Sequence, residues 1–576
     1  MKAFFIKILI SKNNDCHIKH NIFFTIAFLS LLMGGDIFLT ATGRTNVVFE
    51  PIIGFIIIIS CFSLSFCKEI IKNIISTLAM IPIATNLIHI AYFGVPIDID
   101  GIYKIFTETG DILECWKHIV FILPFIFIPY AIVIFLSHKY DKKCYHSTFL
   151  TLLLLYALSW IYICAKYPRN ITTYGTPIPT RLTAINSFRT FPYFLINLSK
   201  KEDNDYPQET IKPYEIKLVN KNSSRVIFII WGESTQADYL SLFGKSRFID
   251  NLNDMPNMTK MINKNKNHYI FTKNLSNGCE TMGSTTLFFN LLQEPTNVNF
   301  YAKGNRQNIF TLAKQNGYTT HWFSAAQTNI MTTGAMPADN AVTRNTHTTL
   351  PDGKRDDYLL EKIKKLDLSK GKHLVVVQFN SLHVGYAENY SRHKDKFEYF
   401  KVKNEDDKTT TMRKEYINNI FYLDYLLSEV FNFAQKNGAE QIFYTADHGE
   451  IIGTNYNGDK DAEIYGHNKL GFGDMIVPFI LWQKYPNKKL FNEIKEKKIM
   501  TNYEVSKLVA NALGYSVKNP NEQKDVFFMY SASYFRKDMQ IKKVKRVNGW
   551  FQELYHGTMI DYFKKTYNFK PKEEVK

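Results

Sequence analysis

Glu233, Asp447 and His448 carry metal-binding chemistry, and all three lie just beyond apolar runs of strand length. Residues 226–231 lead into Gly232-Glu233-Ser234-Thr235, and residues 441–444 lead into Thr445-Ala446-Asp447-His448-Gly449-Glu450. Two carboxylates and an imidazole suit Zn²⁺, which takes N and O ligands and keeps an open position in catalytic sites. Mn²⁺ is the weaker candidate for the same donors. The open position calls for a nucleophile. Residues 277–286, Asn-Gly-Cys-Glu-Thr-Met-Gly-Ser-Thr-Thr, precede the mostly apolar run 287–292 and read as a loop entering a helix. A hydroxyl there, from Thr281, Ser284, Thr285 or Thr286, would have its alkoxide favoured by the helix dipole and by a bound cation. His383 and His467 are candidates for a second metal, or for binding and protonating phosphoryl oxygens.

Each piece alone has a plainer reading. A Glu after a strand is more often a helix cap, and a lone His is more often structural. The elements that must position these residues make coincidence harder. Strands are predicted at 226–231, 319–323, 374–379, 441–444 and 476–482, alternating with helices at 307–316, 355–365 and 413–437. Short continuous apolar runs between amphipathic helices indicate an α/β fold with a mainly parallel sheet covered on both faces. Ligands in such sheets bind beyond the carboxyl ends of the strands. Those ends deliver Glu233, His383, Asp447 with His448, and the segment from Ser324 to Asn329 to one rim.

The rest of the chain sets the compartment. The 576 residues carry 70 Lys and Arg against 53 Asp and Glu, a net charge of +17. Apolar runs at 21–41, 47–67, 70–93, 119–137 and 148–165 predict five membrane-spanning helices within residues 1–166. Lys-rich connections and an acidic third connection (Asp98, Asp100, Glu108, Asp111, Glu114) put the N-terminus inside and everything after Lys166 outside. Residues 167–215, with six prolines, are read as a linker and bridging helix, and residues 216–576 as the outer catalytic domain, which in a bacterium would face the periplasm or the cell exterior. Of the +17, only +3 lies in residues 1–166, so the outer part is the cationic one. An anionic lipid surface fits that charge. No RNP-like or arginine-rich motif supports nucleic acid. Six of the seven Cys fall in the first 166 residues, and Cys279 alone lies in the outer part, so no disulfide framework is expected there.

Several motifs resemble the bacterial phosphoethanolamine transferases of the alkaline phosphatase/sulfatase-like superfamily. Residues 232–244, GESTQADYLSLFG, resemble their GES-x-R-x-D-x-x-SLYG signature. Residues 276–289 resemble their nucleophile segment, with Thr281 at the catalytic threonine. Residues 416–425, YINNIFYLDY, resemble their Y-x-N-x-x-x-Y-x-D helix. Residues 444–450, YTADHGE, and residues 465–468, YGHN, resemble their YTSDHGE and GH segments. The resemblance implies a metal-dependent phosphotransferase. Its Zn²⁺ would be bound by Glu233, Thr281, Asp447 and His448, and His383, His467, Glu450 and Asn329 would contact the substrate. Phosphatidylethanolamine would be the donor and a covalent Thr281 adduct the intermediate. The acceptor would be an envelope lipid or glycan such as lipid A or lipooligosaccharide, and a monomer is expected. Gln236 departs from the pattern, standing where the signature has a basic residue. The alternative is a phosphoglycerol transferase of the lipoteichoic-acid-synthase type using phosphatidylglycerol. A sulfatase would need a C-x-P-x-R or S-x-P-x-R segment, which 279–283 lacks.

Overall fold

The computed structural model describes residues 22–29, 64, 69–93, 97, 102, 123–139, 191, 212–244, 252–294, 308–326, 338–343, 354–403, 406–454, 460–467, 470–531 and 540–567. The chain divides into two compact units, Met1–Glu202 and Asp203–Lys576.

In the first unit, helices α1 (Glu69–Phe93) and α2 (Leu123–Lys139) pack together. His138 Nδ1 meets Glu69 Oε1 at 2.7 Å, and the Thr77 and Tyr130 hydroxyls meet at 2.8 Å. Rising numbers on one helix face falling numbers on the other, so the pair is antiparallel. Among the described residues, no helix is long and apolar enough to cross a membrane. A helix, α1, covers the stretch of the expected third span, but Lys72, Asn73 and Asn86 interrupt its apolar character. Another helix, α2, falls on the expected fourth span and has 17 residues against the roughly 20 that a span needs. The first expected span is described only at residues 22–29 and the second only at Leu64, while the fifth lies outside the described residues.

The second unit is built on an eight-stranded sheet. Its strands are β2 (Val226–Gly232), β3 (Tyr269–Leu275), β4 (Tyr318–Ser324), β5 (Asn340–Val342), β6 (Lys372–Gln378), β7 (Gln441–Ala446), β10 (Ile476–Gln483) and β11 (Ile499–Thr501), in the order β11-β3-β10-β7-β2-β6-β4-β5. β1 (Glu215–Leu218) pairs with β12 (Tyr515–Lys518), and β8 (Ile451–Thr454) with β9 (Lys460–Gly466). β13 (Val526–Tyr530), β14 (Gln540–Val547) and β15 (Trp550–Thr558) form a three-stranded sheet. β2, β4, β5, β6 and β7 are parallel, as is the β3–β11 pair. Within the eight-stranded sheet, among the described residues, only β10 runs opposite to the rest, so its start, not its end, faces the rim where β2 and β7 finish.

β2 explains the layering. Strand side chains alternate between faces. Val226, Phe228 and Ile230 enter one core with helix α8 (Lys408–Lys436), and Ile227, Ile229 and Trp231 enter another with α4 (Thr281–Phe289), α5 (Ile309–Gln315), α10 (Lys488–Lys497) and α11 (Asn502–Ala512). Both faces are buried, giving an α/β/α sandwich with a mainly parallel sheet. The five predicted strands are all present. β3 was missed because its middle residues, Thr272 and Lys273, break the apolar run. Helix α3 (Pro256–Lys264) is fixed to α8 by Asp424, whose two oxygens accept from the backbone N–H groups of Asn257 and Met258 at 2.8 Å each.

Candidate active site

The carboxyl ends of β2 and β7 meet directly. Asp447 N–H donates to Gly232 O at 3.0 Å, which sets Glu233 beside Asp447 and His448. The turn after β2 is strained: Ser234 has φ of 50°, a left-handed value uncommon for a non-glycine residue. Its N–H donates to Asp447 Oδ1 at 3.0 Å, and Tyr416 of α8 donates to its carbonyl at 2.7 Å. Those bonds hold a conformation that would not persist unaided.

Helix α4 brings the nucleophile candidate. Glu280 is its N-cap, accepting from Gly283 N–H at 2.6 Å, so Thr281 is the first helical residue. The preceding loop must approach closely: a Cβ on Gly278 would stand 2.7 Å from Ser284 N. Ser284 Oγ donates to the carbonyls of Gly278 and Glu280, and Thr285 Oγ1 accepts from the Trp231 indole at 3.1 Å. Those two hydroxyls are thereby committed to structure. Thr281 Oγ1 instead donates to Glu233 Oε1 at 3.0 Å and lies 3.2 Å from His448 Nε2.

Glu233, Asp447 and His448 are all buried, and one ligand atom from each falls within 4.8 Å of the others. The donor set fits a divalent cation. Asp447 Oδ1 takes two backbone N–H bonds, from Ser234 and His448, while Oδ2 is buried without a hydrogen-bond partner. His448 Nδ1 faces the Gly449 carbonyl at 2.8 Å, an acceptor only, so Nδ1 carries the proton and Nε2 is left toward the carboxylates. Charge points the same way. Burial pushes the Glu233 carboxyl up, but the adjoining His448 overrides it and holds it at about 2. Burial and the Glu233 charge push Asp447 well up. Burial lowers the His448 imidazole, yet Asp447 and Glu233 raise it to about 10. The carboxylates thus favour positive charge at the His448 Nε2 position, where a cation would take the proton's place.

A second group, His448, Glu450 and His467, adjoins the first. The His448 and His467 rings lie 4.1 Å apart, and His467 Nδ1 is 3.2 Å from Glu450 Oε2. Burial raises Glu450 to about 7. His383 follows β6, and its positive charge would act on both Glu233 and Glu450. The structure therefore brings seven of the eight candidates, Glu233, Thr281, His383, Asp447, His448, Glu450 and His467, to one rim. Asn329 lies outside the described residues.

One residue, Gln378, escaped sequence reasoning, and Gln236, which departs from the signature, has a structural role. Gln378, the last residue of β6, donates to Glu233 Oε2 at 3.2 Å while accepting from Ser324 at 2.9 Å. Its signal was a buried polar side chain closing an otherwise apolar strand. Gln236 bonds the carbonyl of Gly473 at 2.5 Å, tying the turn after β2 to helix α9 (Phe472–Met475), whose Asp474 carbonyl accepts from Gly449 N–H at 2.8 Å. Cys279 is buried in the small core that includes residues of β13 and β14.

Comparison with known proteins places this geometry. No curated protein matches the chain. A solved structure, the integral membrane protein lipooligosaccharide phosphoethanolamine transferase A from Neisseria meningitidis, is similar at 17% identity and a TM-score of 0.57, covering 85% of this chain and 95% of that one. The C-terminal periplasmic domain of EcEptC from Escherichia coli, in complex with Zn, aligns at 18% identity and a TM-score of 0.46, covering 57% of this chain and 96% of that one. The lipoteichoic acid synthase LtaP from Listeria monocytogenes aligns at 12% identity and a TM-score of 0.40, covering 59% and 90%. Only the first of these three establishes a shared fold. The sulfatase family model matches residues 225–516, more than half of the chain, and spans every strand from β2 to β11. The chain belongs to the sulfatase family.

Proposed function

We propose that the protein is a metal-dependent phosphotransferase that moves phosphoethanolamine from phosphatidylethanolamine to a cell-envelope acceptor such as lipid A or lipooligosaccharide. The observation that carries this reading is Thr281: a hydroxyl at a helix N-terminus, 3.0 Å from Glu233 and 3.2 Å from His448. Family membership alone would allow sulfate ester hydrolysis, but residues 279–283 lack the C-x-P-x-R or S-x-P-x-R nucleophile segment. The motifs shared with phosphoethanolamine transferases favour phosphoryl transfer. Likeness to an integral membrane transferase along most of the chain supports the same arrangement here: five spans within residues 1–166, a linker over 167–215, and a catalytic part over 216–576 facing the periplasm.

Glu233, Asp447, His448 and the Thr281 hydroxyl would hold the cation, taken as Zn²⁺ from the N/O donor set. When bound it would lower the hydroxyl pKa and offset phosphoryl charge. The chain's own residues do the rest. The start of α4 aims Thr281 Oγ1 and favours its anionic form. The Thr281 hydroxyl loses its proton to solvent, and its oxygen forms a bond to phosphorus as the bond from phosphorus to the diacylglycerol oxygen breaks. His383 or His467 delivers a proton to that departing oxygen. An acceptor phosphate or hydroxyl then displaces phosphoethanolamine from Thr281. Glu450 and His467, on the same side of His448, suit the ligand's ammonium and phosphoryl ends, and Asn329 is the further substrate contact.

The second reading, phosphoglycerol transfer, uses the same nucleophile. The two separate in one assay. The full chain, incubated with vesicles of phosphatidylethanolamine or of phosphatidylglycerol, should release diacylglycerol from the first. Release from phosphatidylglycerol alone would overturn the proposal.

A further inference from the structure

We infer that the outward face of the β14–β15 hairpin is a docking surface for an anionic lipid bilayer. The inference rests on the reading above only in that the reaction takes place at a membrane.

The hairpin turns at Asn548-Gly549, with φ of 52° and 82°, the left-handed pair that a tight two-residue turn requires. Gly549 also has no room for a side chain, since a Cβ would come 2.8 Å from Lys498 Cβ. The stem of Lys498 therefore lies along the turn. Cross-strand partners share a face. Val547 pairs with Trp550, and Lys545 with Gln552, so these four form one face. The register shift between Lys543 and Val544 leaves Leu554 as the extra residue. Val547, Trp550 and Leu554 are 40%, 42% and 49% exposed, while Val544 and Phe551 on the other face are buried. Exposed apolar side chains thus alternate with a lysine on a sheet whose other face is anchored in the core.

Charge identifies the partner. Residues 540–567 hold six Lys and Arg against two Asp and Glu. Arg546 and Lys542 are internal, bonded to Glu504, Asp525 and Glu553. Lys545 and Lys498 remain exposed at the rim of the apolar patch. An indole and aliphatic side chains framed by lysines are the composition of a headgroup-level contact: the indole sits at the interface and the lysines meet anionic phosphates. A second protein chain adding to the β15 edge is disfavoured, because the bulge at Leu554 breaks the ladder it would need. The patch also adjoins the site. The Trp550 ring is 5.6 Å from that of Phe472, in the helix that Gln236 ties to the strained turn after β2. Docking there would bring a lipid headgroup to the rim where Thr281 stands.

The test uses the full chain reconstituted in phosphatidylethanolamine–phosphatidylglycerol vesicles with brominated acyl chains. Bromine should quench Trp550, so Trp550→Phe should remove a distinct quenched component of the emission. Equal quenching in both proteins would overturn the inference. A second variant, Lys545→Glu/Leu554→Gln, should lower transfer from vesicle lipid about tenfold while leaving turnover of a water-soluble phosphoethanolamine ester unchanged. Equal loss on both substrates, or a change in self-association of the chain instead, would overturn it too. Absence of any transfer by the unmodified chain would strike the proposed function, whereas the quenching result stands apart from it.

Discussion

The Thr281 hydroxyl donates to Glu233 Oε1 across 3.0 Å, although 48 residues separate the two in the chain. One comes from the end of β2, the other from the first residue of α4, and the Trp231–Thr285 bond fixes that strand to that helix. A nucleophile held so should be irreplaceable chemically yet dispensable structurally. Thr281→Ala should lower transfer by about three orders of magnitude or more and weaken metal binding by the loss of one ligand atom, while leaving the melting temperature of the metal-saturated protein close to that of the unmodified one. Transfer assays beside metal analysis of the purified variant check this.

Glu280 acts one step back, by capping the helix that carries Thr281. Its carboxylate accepts from Gly283 N–H at 2.6 Å. Glu280→Ala should cost about 1 kcal/mol and reduce turnover, because Thr281 sits in the turn the cap orders. Chemical denaturation measures the first effect, and single-turnover transfer the second.

Metal removal should destabilise the protein. Glu233 and Asp447 are buried against each other, and Asp447 Oδ2 has no hydrogen-bond partner. Stripping the cation with a chelator should lower the melting temperature, and restoring it at a hundredfold excess over its dissociation constant should return about 2–3 kcal/mol. Asp447→Asn should respond far less to chelator. Calorimetry with and without chelator reads both.

Asp356 gives a pH signature outside the site. Burial raises its carboxyl from an ordinary 3.8 to about 7, against the pull of the Asn380 N–H bond and Arg355. Between those values the folded chain binds more protons than the unfolded one, so this group's contribution is full at low pH and is lost as pH rises toward 7. Asp356→Asn, which keeps an acceptor for Asn380, should be more stable than the unmodified protein at pH 8, on the order of 1–2 kcal/mol. The difference should vanish near pH 4. Thermal melts across that range test the sign.

What could be read in the sequence was what local chemistry dictates. β2 and β6 are continuous apolar runs, and Glu233 and the His383 segment follow them in sequence, so the rim was legible. The direction of β10 was not, because direction is set by pairing with β3 and β7 rather than by composition. Gln378 stayed hidden for the same reason: its bond to Glu233 spans 145 residues. It orients a ligand, and Gln378→Met should weaken metal affinity about 10- to 100-fold with little change in fold, measurable by competition with a chromogenic chelator. Separating Thr281 from Ser284 and Thr285 also needed three dimensions, since only packing shows those two hydroxyls bound elsewhere.

The central claim is that Thr281 carries the transferred group. Intact-protein mass spectrometry of the full chain, quenched during turnover with phosphatidylethanolamine and no acceptor, tests it most directly. The account predicts a mass increase of one phosphoethanolamine group that maps to the peptide containing Thr281 and is absent from Thr281→Ala. The same adduct on Thr281→Ala, or diacylglycerol release with no adduct on the unmodified protein, would contradict it.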